Sequence, residues 1–173
     1  MHHFVNGNIN YNKQEIILNN AIGYMEKDYG KSMPKWWVWS HMNDLESSFM
    51  ISIAKVKYLV HDFDGTLGFF YINNKHYIFA TYTGFKINSL YEEKNSIIIE
   101  GEDKNIRLRL EIIKEGDVIL KAPSNGRMTR DIKEGISGVS KLTVIDKKNN
   151  KEYYKEYQNV AIELVGDINY KRR

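Results

Sequence analysis

Two stretches of this chain place chemically able side chains at spacings that could work together. In "YLVHDFDGTLG", Tyr58 to Gly68, a short apolar run ends in Asp-x-Asp-Gly-Thr, so Asp62 could attack phosphorus while Asp64 handles a proton. The same residues also read as a turn from Asp62 to Gly65, with Gly65 supplying permissive torsions and an aspartate bonding its own backbone. In "GYMEKDYGKSMPKWWVWSHMN", Gly23 to Asn43, Glu26, Lys27 and Asp28 precede a loop marked by glycine and proline. A strand follows whose alternation puts Trp37, Trp39, His41 and Asn43 on one face. Two indoles, an imidazole and an amide in a row suit a pocket, because the polar groups need partners or a ligand. They equally suit a packed barrel core filled by the two tryptophans, with His41 and Asn43 beyond its rim.

The elements that must position these groups are read from hydrophobic period, and alternation prevails nearly everywhere. In "NIRLRLEII", Ile106, Leu108, Leu110 and Ile112 point one way and Arg107, Arg109 and Glu111 the other, the pattern of a strand with one wet face. "GFFYINNKHYIFATYTG" reads as a hairpin turning at Asn73-Asn74-Lys75. Its second strand runs on through Thr81, Tyr82 and Thr83, so that Thr81 and Thr83 share a face with Phe79 that could line a cavity. Further strands are expected at 15–19, 36–42, 49–54, 96–101, 118–121, 138–145 and 153–165, and turns at Asn6-Gly7, 102–105, 115–117 and 146–150. No window of a dozen residues carries an apolar stripe at helical spacing, which leaves room for at most one or two short helices, at 27–31 or 44–48. About ten short strands without interleaved helices predict an all-β domain, an antiparallel sheet closed or nearly closed into a barrel, since closure disposes of exposed edges.

This reading bears on the two aspartates. "DFDGT" resembles the nucleophile motif of the haloacid dehalogenase-like phosphatases, in which the first Asp ends a strand of a parallel, helix-covered sheet. Here the motif opens into a hairpin, and the remaining parts would have to be single common residues: Thr81 or Thr83, Lys121 or Lys133, and Gly166-Asp167. A motif counts only in its structural context, and a metal-dependent phosphatase is the remote alternative.

Composition narrows the function classes. With 173 residues, 42% hydrophobic and 27% charged, the chain has the make-up of one ordinary soluble domain, expected over residues 1–173. The net charge is only +3 and the signs are interleaved, which argues against a nucleic-acid-binding stripe. The lack of cysteine removes disulfides, thiol nucleophiles and cysteine-ligated zinc. The amino-terminal "MHHFVNG" has no basic segment leading into an apolar core, and no apolar run approaches spanning length, so a cytoplasmic protein without a membrane span is expected. Three Trp, twelve Tyr and seven Phe exceed what a core of this size needs, so some of them should serve a pocket or a partner surface.

Gly-Tyr-x-Glu-Lys-Asp-x-Gly-x-Ser-x-Pro followed by Trp-x-Trp-x-His-x-Asn resembles the central signature of the tocopherol cyclase family, which usually has Gln where this chain has His41. The resemblance continues through "FATYTG", "LKAPSNGRMTRDIKEGIS" and "AIELVGD", and covers most of the chain. It implies a lipocalin-like two-barrel superfamily, with this chain similar to the carboxyl-terminal half. The reaction it implies is the closure of a ring by protonation of a prenyl double bond, the cation being trapped by a phenol oxygen. No redox cofactor or metal is called for, and no cofactor is expected. What is needed is an acid in a dry place. A carboxyl among aromatic rings keeps its proton to higher pH, so Glu26 or Asp28 could donate it while the faces of Trp37, Trp39 and Tyr24 stabilise a cation by about 2 kcal/mol or more each. His41 or Asn43 would orient or deprotonate the phenol, and Phe79, Thr81, Thr83, Arg127 and Arg130 would complete the binding site. The competing readings are, at Glu26 to Asp28, a surface loop with an ion pair worth under about 1 kcal/mol or a buried Lys27 pair that holds the loop against the barrel, and a merely charged hairpin around Arg127, Arg130 and Glu134. The expected partners are an apolar, isoprenoid-like small molecule and either a second copy of the chain or a partner half-barrel; a non-catalytic carrier of apolar ligands is the alternative to an enzyme.

Overall fold

A computed structural model describes residues 2–58, 61–166 and 168. Twelve strands follow one another: β1 (His3–Tyr11), β2 (Gln14–Gly23), β3 (Trp37–Asn43), β4 (Ser47–Tyr58), β5 (His61–Ile72), β6 (Lys75–Ala80), β7 (Lys86–Glu93), β8 (Ser96–Glu102), β9 (Ile106–Ile113), β10 (Val118–Ser124), β11 (Arg127–Asp146) and β12 (Lys151–Val165). Every pairing is antiparallel. β1 and β2 form a hairpin of their own, and the other strands form one sheet in the order β6-β5-β4-β3-β12-β11-β9-β8-β7, with β10 on the far half of β11.

The all-β expectation holds, and β9 shows why: Leu108, Leu110 and Ile112 are buried while Arg107 and Arg109 are exposed. The β5–β6 hairpin turns where the sequence places it, on Asn73 and Asn74 at φ 51° and 58°, a region asparagine tolerates. One face of the sheet supplies a single core that includes Val38, Met42, Phe49, Ile51, Phe70, Phe79, Leu110, Leu142, Val144 and Ile162. The sheet is therefore rolled about that core, but its ladder does not close. β6 and β7 are its free edges, joined by a 3-10 turn at Thr81–Thr83 and the bond from the Phe85 N–H to the Ala80 carbonyl (3.1 Å). At that seam the Phe79 and Phe85 rings pack together with centroids 5.4 Å apart.

Several local expectations are corrected. Thr81 to Thr83 do not continue the strand: Gly84 at φ 89° lets the chain turn, Thr81 Oγ1 accepts the Thr66 N–H (2.8 Å), and the Thr83 hydroxyl donates to the Ala80 carbonyl (2.8 Å). Neither 27–31 nor 44–48 is helical; Asp44 instead accepts the backbone N–H groups of Glu46 and Ser47 in a turn. Asn6-Gly7 is a bulge inside β1, not a turn, with Gly7 at φ 144°. Asp62 to Gly65 are also not a turn. They lie in β5, paired with Lys57 to Ala54 of β4. Among the described residues no helix is long and apolar enough to cross a membrane.

β11 bends at bulges around Gly135 and Gly138, and a Cβ at Gly138 would lie 2.9 Å from the Ile113 carbonyl oxygen. Before the bend, Arg127 to Glu134 pair with β10. This outer hairpin shapes the site described next.

Candidate functional site

Period-2 alternation divides β3 into two faces. Val38 and Met42 enter the main core, whereas Trp37 belongs to a smaller cluster with Ala122, Ile132 and Val165, against which Met33, Trp39 and Ala54 pack. The Trp face is therefore neither the barrel interior nor a core plug. It is the outer face of the sheet, covered by the 24–36 connection and the β10–β11 hairpin.

That connection is strapped down by backbone and guanidinium bonds. The Met33 N–H donates to the Pro123 carbonyl (3.2 Å), and the Lys31 carbonyl accepts the Gly126 N–H (2.7 Å). Ser32 Oγ accepts the Asn125 N–H (2.9 Å). Arg130 donates to the carbonyls of Pro34 (2.5 Å) and Lys35 (2.6 Å) and lies over the Trp37 ring at 4.9 Å.

Beneath the strap runs an open groove of about 660 Å³ whose lining includes Tyr24, Glu26, Asp28, Met33, Trp37, Trp39 and Glu163. It adjoins a second groove of about 500 Å³, lined by Leu120, Ala122, Met128 and Ile132, with which it shares Asp28, Tyr29, Gly30, Met33 and Glu163. Each indole is fixed by a carboxylate. Trp37 Nε1 donates to Glu163 Oε2 (2.6 Å), and Trp39 Nε1 to Glu26 Oε2 (2.9 Å), which also accepts the Tyr24 hydroxyl. The register Trp39↔Glu163 sets this arrangement across β3 and β12.

Burial favours the neutral forms of Tyr24, Asp28, His41 and Glu163. Burial raises the Glu163 carboxyl above its ordinary range; the Trp37 hydrogen bond opposes this, and Glu134, Asp28 and Glu26 add to it. Asp28 is raised by partial burial and then by Glu26, and the Tyr24 phenol is raised by burial and by its bond to Glu26. Burial lowers His41 to about 4. Its ring stacks on Tyr24 with centroids 3.5 Å apart, and its Nε2 has no hydrogen-bond partner among the described residues.

Of the residues expected to form a site, the structure brings together Tyr24, Glu26, Asp28, Trp37 and Trp39 on the groove wall. His41 sits behind Tyr24, and Asn43, two residues on, does not line the groove. Arg130 buttresses Trp37 and the strap. Arg127 stands exposed at the start of β11. Phe79 is in the main core, on the opposite side of the sheet, and Thr81 and Thr83 are committed to the seam turn.

The residue that sequence reasoning missed is Glu163. Its signal lay in "AIELVGD", where a carboxylate alternates in phase with Ala161 and Val165. The phosphatase parts do not assemble: Asp62 is exposed beside Lys35 (3.5 Å), Asp64 pairs with Lys55 (2.5 Å), and Asp167 lies outside the described residues. Among the described residues no group of three or more His, Asp or Glu could hold a metal ion.

Residues 1–164 fit the model of a family described as tocopherol cyclase-like. No curated protein and no solved structure matches significantly.

Proposed function

The chain belongs to the tocopherol cyclase-like family, and from that premise we propose that its outer-face groove binds an apolar, isoprenoid-like molecule and promotes its acid-catalysed cyclisation or isomerisation. The observation that carries this reading is the Glu163 carboxyl, half-buried in an aromatic groove and raised by that burial. The neutral acid transfers its proton to a ligand double bond: a C–H bond forms, the π bond breaks, and the carboxylate stays behind. The Trp37 N–H at 2.6 Å stabilises that carboxylate as it forms. The faces of Trp37, Trp39 and Tyr24 offset the tertiary cation. A ligand hydroxyl then closes the ring and releases its proton to a second carboxylate, for which Glu26 and Asp28 are placed. Glu26 also orients Tyr24 and Trp39 through its two hydrogen bonds. The cytoplasmic location and the kinship to one half of a two-barrel protein remain parts of the proposal.

Incubation with a prenylated hydroquinone tests it, chromanol being followed by chromatography and binding by Trp fluorescence. Wild-type protein should quench and convert. Glu163→Gln should quench and lose conversion by about a hundredfold or more, the scale of a lost general acid. Absence of both product and quenching at high protein concentration would sink the proposal.

A second reading is a non-catalytic carrier or half-barrel subunit. It is favoured by the β1–β2 hairpin, which leaves Phe4, Ile9, Tyr11, Ile16 and Ile17 exposed. Quenching without conversion, together with a dimer by light scattering, is its signature.

A further inference from the structure

The rim of the groove carries more exposed apolar surface than a ligand site needs. Met25, Tyr29, Leu120 and Met128 line its two connected parts, yet they are 73%, 99%, 41% and 60% exposed. Val118, 50% exposed, alternates onto the same face of β10 as Leu120. Apolar side chains gathered round an opening, instead of scattered singly, mark a docking surface. Lys27, Lys31 and Arg127 stand exposed among them with no ion pair among the described residues. The two segments that build the rim, 25–35 and 118–134, hold seven Lys and Arg against four Asp and Glu, an excess equal to the whole chain's net charge of +3.

We propose that this rim docks on an anionic bilayer surface. Tyr29, Met25 and Met128 enter the boundary between headgroups and acyl chains, and Lys27, Lys31 and Arg127 meet lipid phosphates. Docking in this way opens the groove onto the membrane, so an apolar ligand passes between lipid and protein without crossing water. That purpose rests on the ligand-groove reading above; the docking itself does not. A second copy is the competing occupant of the same surface, and charge disfavours it. A two-fold interface here would bring together two copies of a rim that carries an excess of three positive charges even after its exposed Glu26, Asp28 and Asp131 are counted.

Flotation of the full chain with phosphatidylcholine vesicles, with and without phosphatidylglycerol, tests the proposal in the absence of any other ligand. Binding is expected only with phosphatidylglycerol, weakening as salt is raised. Lys27→Ala and Lys31→Ala should each weaken it about fivefold. Tyr29→Ser with Met128→Ser should weaken it by about tenfold or more. These exposed substitutions should leave thermal unfolding unchanged, and Leu45→Ser, at an exposed leucine of the β3–β4 turn, should leave vesicle binding unchanged. Failure to bind any vesicle, equal binding to both compositions, or full binding by the Tyr29/Met128 variant would overturn it. So would a dimer in light scattering that the Tyr29/Met128 variant abolishes. Vesicle binding without chromanol formation would uphold the docking while defeating the catalytic reading.

Discussion

The two faces of β3 are built from different chemistry, and the outer one is also less fully sealed, with Trp39 and Asn43 only partly buried. On the inner face Val38 and Met42 are sealed by a sheet rolled about one core, and Ser40 sends its hydroxyl to the Ala161 carbonyl (2.9 Å). On the outer face Trp37 and His41 are 3% and 8% exposed, but they are covered by a loop and a hairpin. There the indoles are satisfied by carboxylates, and an imidazole nitrogen has no partner among the described residues. At Trp37 and His41, therefore, depth alone does not separate core from site; partner chemistry does. Inside, removing a side chain costs packing. Outside, it also leaves a charge or a polar atom stranded.

The largest break in this comparison comes from the inner face. Phe49→Ala empties a wholly buried position against Phe70 and Phe79 and should cost about 3–5 kcal/mol in urea unfolding. Trp fluorescence quenching by ligand should persist in the fraction that remains folded. Next comes acid. His41 has an ordinary value of 6.5 and is held near 4 by burial, so between those values the unfolded chain takes up a proton that the native chain refuses. Stability should accordingly fall as pH drops from 6.5 towards 4, by up to about 3 kcal/mol, and His41→Gln should flatten that limb of the stability profile. Trp37→Phe keeps a six-membered aromatic ring but removes the pyrrole half with its donor to Glu163, for a loss of about 1–3 kcal/mol. The same variant should carry the Glu163 titration still higher, read by infrared spectroscopy of the carboxyl band, because the hydrogen bond is what opposes the rise.

The comparison also explains what could be read from the sequence. Strands were legible where alternation was clean, as at Leu108, Leu110 and Ile112, and turns where asparagine stood in pairs. The grouping of Trp37, Trp39 and His41 was legible for the same reason. Which way that group faces was not, because a period of two fixes only relative sides and β3 is apolar on both. Its direction is decided by pairing with β4 and β12, and β12 also delivers Glu163 from 124 residues beyond Trp39. Thr81 and Thr83 misled because β-branched residues mimic a continuing strand; two hydroxyl bonds and the left-handed Gly84 end it instead. The "DFDGT" aspartates looked like a turn because Gly65 follows them, yet the pairing of β4 with β5 extends past them to Tyr58↔His61.

The smallest effect is predicted within that motif, where two aspartates on one face of β5 differ in exposure. Asp62 is exposed, and its only ion pair among the described residues reaches a largely solvated Lys35 at 3.5 Å. Asp62→Asn should change unfolding stability by less than about 0.5 kcal/mol. Turnover of an aryl phosphate with magnesium should be no faster than buffer for wild type and variant alike. Asp64 is drawn in at 2.5 Å to Lys55, which itself lies over the Trp36 ring at 5.8 Å, and both side chains of the pair are about three-quarters buried. Asp64→Asn should therefore cost more than Asp62→Asn, about 1 kcal/mol, since Lys55 is left half-desolvated without its anion. A phosphatase would reverse that order in activity, because the first aspartate would carry the covalent step; here the first is the dispensable one and the second, through Lys55, helps hold Trp36 at the margin of the main core.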